Sequence, residues 1–194
     1  MRGVIRFAAI VIAILLGLRS TQAAEIHLQI DTQKSQITAT VADPLARLTE
    51  TSEIEAKLQI TSGSVDGDPA NPGATGHVKL VIDATTFDSG DSHRDHVVLG
   101  TALNTAQYRT ISFESTHLEN VQIDVPGKMG HAIVVGNLTL HGTTRVDRVP
   151  ADVSLDSDGT LNGDGEVSFD YTEYRSRVCC SHCQQVRTLR YISM

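Results

Sequence analysis

The sequence predicts an all-β fold, mainly antiparallel, closed into a barrel of about eight strands with one short helix. Three observations carry this. Apolar residues alternate with polar ones at a period of two along most of the chain after residue 25, the pattern of a half-buried strand. Sustained 3.6-residue periodicity is scarce. Turn sequences with Gly or Asx residues separate the alternating runs, as antiparallel hairpins require. A sheet of that many strands with two free edges invites aggregation, and closure into a barrel removes the edges.

From the N-terminus, Arg2 and Arg6 precede an unbroken apolar run of 12 residues, Phe7 to Leu18, and small residues follow around Thr21 and Ala23. This is the pattern of a cleavable secretory signal over residues 1–23. As a helix the run would span only about 18 Å, short of the roughly 30 Å hydrocarbon core of a bilayer. Export to the periplasm is the expectation. Removing Arg2, Arg6 and Arg19 leaves 13 basic residues against 23 acidic ones. With no basic stripe and no Trp, that balance argues against nucleic-acid binding.

The alternating runs then follow in order: Ile26, Leu28 and Ile30; Ile37, Ala39 and Val41; Ile54, Ala56, Leu58 and Ile60; Val78, Leu80 and Ile82. After them come Ile111 and Phe113; Val134, Leu138 and Leu140; Val149, Ala151, Val153 and Leu155; and Val167, Phe169 and Tyr171. "HGTT" from His141, "SDGT" from Ser157 and "NGDG" from Asn162 supply turns. Two stretches break the rhythm. Ser62 to Gly76 is rich in Gly, Pro, Asp and Asn and reads as a long surface loop. In "GDSHRDHVVLG", Gly90 to Gly100, Asp91 or Ser92 can cap a short helix with His96, Leu99 and Leu103 roughly on one face.

That same stretch gathers the chemistry. His93, Asp95 and His96 have the residue types of an open zinc site, and this is the alternative reading, a metal-binding protein or metal-assisted hydrolase. Arg94 inside the cluster disfavours a second cation, so pairing of Arg94 and Asp95 with each other or with backbone groups, tying the helix to the barrel, is preferred. No G-x-S-x-G elbow frames a nucleophile. Asp156, Asp158, Asp164 and Glu166 have the spacing of solvated turns. The inward strand positions are mostly Val, Ile, Leu, Ala and Thr, which suits a container with room for one slender ligand.

The ordered set "DSG", "RDH", "LNTAQYRTISFEST" and "VVGNLTLHGTTRVDRVPADVSL" resembles the YceI-like family of exported bacterial proteins. The matching residues are Arg94, Asp95, His96, Tyr108, Ile111, Phe113, Gly136, Leu138, Thr139, His141 and Gly142, with Arg109 in place of the family's proline. The resemblance runs from about Glu25 to Tyr174, within a barrel domain spanning residues 24–174. It implies an extended lipocalin-like barrel that buries a polyprenyl chain or related lipid, with no catalytic residues and no other cofactor. Candidate ligand contacts are Arg94, Asp95, His96, Phe113, Val134, Leu138, Leu140 and Phe169. Transient contact with a membrane or membrane protein, as monomer or homodimer, is compatible with that role. A structural or partner-binding barrel is a further alternative.

At Arg175 the composition changes abruptly. "RSRVCCSHCQQVRTLRYISM", residues 175–194, holds all three cysteines and no acid. It reads as an atypical tail, so the final strand is expected to be missing or altered. Four ligands from Cys179, Cys180, His182 and Cys183 are too crowded to surround one ion tetrahedrally.

Overall fold

A computed structural model describes residues 25–42, 53–68, 70–125, 129–157, 160–169, 171–174 and 186–192. The segment expected to be a signal and the three cysteines lie outside the described residues. Nine strands follow in chain order: β1 (Ile26–Gln29), β2 (Gln36–Ala42), β3 (Glu53–Gly67), β4 (His77–Asp88), β5 (Thr110–Val125), β6 (Met129–Leu140), β7 (Thr143–Leu155), β8 (Leu161–Phe169) and β9 (Val186–Ile192). Two short helices, α1 (Pro72–Thr75) and α2 (Ser92–Val97), flank β4. A π-helical turn at Val98–Ala102 extends α2, and a 3-10 turn at Tyr171–Tyr174 follows β8.

All the pairings are antiparallel, and their order closes on itself. β3 pairs β2, then β9, β8, β7, β6, β5 and β4 succeed one another, and β4 pairs back onto β3. This ring of eight strands is the predicted barrel. β1 is extra in number but not in position. It lies along the second half of β3, with Leu28 opposite Val65, while β2 lies along the first half, with Ile37 opposite Leu58. Between them a turn bends the chain: the Ser35 N–H donates to the Asp31 carbonyl (2.9 Å), and the Asp31 carboxylate accepts from the Gln33 N–H (3.0 Å).

Three expectations are corrected. The final strand is present, because β9, drawn from the stretch expected to be a tail, pairs with both β2 and β8. The expected loop from Ser62 begins as strand, since β3 continues to Gly67, and its Pro72–Thr75 stretch forms α1. A bulge between Ile60 and Ser62 carries β3 past its low-propensity residues, and Ile30 lies over Gly63 where a Cβ would stand. The helix is also shorter and less regular than a single amphipathic face implies. The i−5 bond from Leu103 N–H to Val98 carbonyl (2.9 Å) widens its last turn. Leu103 is buried and Leu99 packs on the core, whereas His96 stays exposed.

Register assigns the faces, since cross-strand partners share one. The inner face carries Ile37 and Ala39 of β2, Ala56, Leu58 and Ile60 of β3, Ile82 and Ala84 of β4, Ile111 and Phe113 of β5, Val134, Leu138 and Leu140 of β6, and Val167 and Phe169 of β8. All of these belong to one buried cluster.

A lumen plugged at one end and open at the other

The barrel's two ends differ. At one end, reached by the chain between β4 and β5, the α2 segment, Phe87, Leu103 and the Tyr171–Tyr174 turn close the bore. Tyr174 is fully buried within the cluster, edge-on to Phe169 with ring centroids 5.0 Å apart. Its hydroxyl donates to Asp147. Burial, with that bond added, pushes the Tyr174 hydroxyl above the usual tyrosine range. The β6–β7 hairpin, with His141 at φ 50° and Gly142 at φ 70°, has the paired positive φ of a type I′ turn. Tyr108 lies against His141 at the same end, centroids 4.7 Å apart and ring planes tilted by 54°.

At the other end β3, β5 and β7 finish and β4, β6 and β8 begin. α1 covers one side of it, with Gly73 and Gly76 against Val121 and Leu118 of β5. The rest is bare. Ile123, Gly130, Val153 and Gly163 form one cross-strand row through β5, β6, β7 and β8. This row continues the inner face, because Val149 and Ala151, four and two positions before Val153, pack on the core. Ile123 is nevertheless 52% exposed and Val153 36%; Ile26, the inner residue of β1 at this end, is 39% exposed. Apolar side chains that line the bore thus reach solvent at this mouth. The nearby inner positions of β6 to β8 are small, namely Gly130, Ala132, Ala151, Gly163 and Gly165, which leaves space rather than filling it.

A cavity of about 300 Å³ opens at this lip, lined by Met129, Asp152, Val153, Ser154, Asn162, Gly163 and Asp164. Val153 and Gly163 come from the inner face and the polar residues from the outer one. Asp152 accepts a hydrogen bond from His131 Nδ1 at 2.7 Å, and Asp156 accepts from Asn162 Nδ2 at 2.9 Å. On the outer wall nearby, Glu119 binds Arg148 and His117, which together hold its carboxyl below the usual carboxylate range.

The eight candidate contacts divide between these places. Phe113, Val134, Leu138, Leu140 and Phe169 come together inside the barrel, all buried. Arg94, Asp95 and His96 lie on α2 at the plugged end. The Asp95 carboxylate accepts from the Ser89 N–H (3.0 Å) and Oγ (2.6 Å). Arg94 reaches Ser89 Oγ (3.4 Å) and the Asp91 carboxylate (3.7 Å), and His93 and His96 face solvent. Among the described residues no group of three or more His, Cys, Asp or Glu is placed to hold a metal ion, so His93, Asp95 and His96 do not form the alternative metal site. The small inner residues and the exposed row at the mouth were missed. Their signal was legible as Gly and Ala at inward register positions of β6 to β8.

A family model described as the YceI-like domain matches residues 28–188. The chain belongs to the YceI-like family. The match passes Tyr174 into β9, in agreement with a closing strand drawn from the Cys-rich ending. BcnA of Burkholderia cenocepacia shares the fold of this YceI-like chain at 21% identity, with a TM-score of 0.67, over 85% of this chain and 99% of that one. A polyisoprenoid binding domain from Saccharophagus degradans, implicated in plant cell wall breakdown, does so at 15% identity and a TM-score of 0.56, over 86% of this chain and 97% of that one. No curated protein matches the chain.

Proposed function

We propose that this YceI-like protein is an exported, non-enzymatic carrier that holds the long apolar chain of a polyprenyl or related amphiphile in its bore. One observation carries the reading: the apolar inner face is sealed at the α2 end but left uncovered at the other, at Ile26, Ile123 and Val153. Leaving apolar surface in water costs about 25 cal/mol per Å², which an inserted alkyl or isoprenoid chain recovers without any chemistry. Phe113, Val134, Leu138, Leu140 and Phe169 form the floor that such a chain meets. Arg94 and Asp95 fasten α2 outside the plugged end. The solved relative described as a polyisoprenoid binding domain supports the ligand class, and the apolar run before residue 19 supports export.

Native mass spectrometry of gently purified mature protein tests this. The expected result is a chain that begins near Ala24, recovered from the periplasmic fraction, with an apolar adduct that V153W weakens by obstructing the mouth. A folded, ligand-free protein that takes up no hydrocarbon-tailed probe overturns the reading.

A further inference from the structure

The pairings fix the level at which the bore is closed. Gly136 of β6 and Asp147 of β7 are register partners, on the same face as the core residues Val134 and Val149. The Phe113 ring lies over Gly136, its Cζ 2.6 Å from where a Cβ would stand. The Tyr174 hydroxyl reaches the Asp147 carboxylate, and the Tyr174 ring meets Phe169 of β8 edge-on. Three aromatic rings thus lie at one level, from β5 across β6 and β7 to β8. Phe113 and Phe169 belong to strands of the barrel, whereas Tyr174 arrives from the turn after β8. It is fully buried, and the Arg145–Glu173 pair (3.4 Å) ties the same turn to β7.

The exposed row at the mouth passes through Gly130, and the aromatic level lies at Gly136, six positions along β6. At about 3.3 Å per residue and a strand tilt of about 40°, the depth between them is about 15 Å. An extended carbon chain advances about 1.2 Å per bond, as a polypeptide does over its three backbone bonds per residue, so about twelve bonds fit. We propose that Tyr174 sets the length of tail that this protein accepts. Its ring is the stop against which the chain ends, and carbons beyond about the twelfth gain no burial. This rests on the reading of the bore as a tail-binding site and narrows it, because a polyprenyl chain is then gripped over about three isoprene units.

Octyl, decyl, dodecyl, tetradecyl and hexadecyl ethers of one uncharged ethylene glycol head differ only in the tail. Their affinities for the purified protein are to be measured below micellar concentrations, by displacement of an apolar fluorescent probe. Affinity should rise by up to about fourfold per methylene as far as dodecyl and then level off. In Y174A the rise should continue, so that hexadecyl binds at least about tenfold more tightly than dodecyl. Y174F, which restores the ring, should restore the plateau. In the wild-type protein, nuclear Overhauser contacts should run from the dodecyl terminal methyl to the Tyr174 and Phe113 rings, a readout that needs no variant to fold. A wild-type affinity that climbs through to hexadecyl overturns the length proposal and leaves the tail site standing. So does a plateau that stays at dodecyl in folded Y174A or is absent from Y174F, or a terminal methyl that makes no contact with the Tyr174 ring. If none of the ethers binds, the tail site itself is overturned, and the proposal with it.

Discussion

Asp91 is the clearest case of one residue whose local role the sequence announces. Preceding α2, its carboxylate accepts from the backbone N–H groups of His93 (3.0 Å) and Arg94 (3.2 Å). Those bonds hold its pKa below the ordinary 3.8. The folded value is the lower one, so the cap's contribution is complete at neutral pH and is lost as pH falls through the folded value. D91A should lower the thermal midpoint at pH 7 by removing the cap, and NMR titration should place the carboxyl midpoint below that of an unfolded aspartate. Tyr174 works the opposite way, in that no short-range pattern announces its burial. Y174F keeps the ring against Phe169 but strands Asp147, at an expected cost of about 1–3 kcal/mol in urea denaturation. With the wild-type pKa raised, the Tyr174 contribution holds below about pH 10 and fades above it. Val135 shows where residue-level reading fails: it is 4% exposed although its parity is opposite to that of Val134, and it sits between register partners His117 and Arg148. A buried apolar side chain does not by itself mark the lumen.

At the scale of elements, alternation made seven of the eight ring strands legible, since half-burial needs only the period of the pleat. The exceptions have separate physical causes. β3 runs through Ser62–Gly67 because a bulge and the Ile30 side chain accommodate glycines that in isolation signal a loop. β9 was not legible because its flanking composition hid it, and only its pairing with β2 and β8 gives it a place. Gly136 illustrates how an element depends on its neighbour. A Cβ there would lie 2.6 Å from Phe113 Cζ and 2.6 Å from the Glu114 carbonyl oxygen. The ring could shift but the backbone could not. G136V should therefore destabilise by about 1–3 kcal/mol, with the urea midpoint as the measurement and the amide resonances of β5 and β6 as the local check.

For the whole molecule, closure is the decisive property. Without β9 the ring would expose two strand edges, on β2 and β8, where it now has pairs. Truncation after Tyr174 should give a protein that unfolds without a sharp transition and elutes as aggregates on size exclusion; a monomeric, cooperatively folding truncation would show that the closing strand is dispensable. The candidate site was half legible for a related reason. Phe113, Val134, Leu138, Leu140 and Phe169 were recognisable as inward-facing residues, and they do meet inside. The sequence drew attention to Arg94, Asp95 and His96, yet at the plugged end Asp95 and Arg94 bond to Ser89, Arg94 also pairs with Asp91, and His96 faces solvent. The mouth lies at the opposite end and consists of Ile26, Ile123 and Val153, residues separated by up to 127 positions that only the ring of pairings brings to one rim. What the sequence determined alone was everything set by short range: the strand period, the hairpin turns, the cap of α2 and the acidic balance. What the tertiary structure decided was which end of the barrel is sealed, because exposure of an inward apolar residue depends on the chain segments that cover it, and those arrive from distant parts of the sequence.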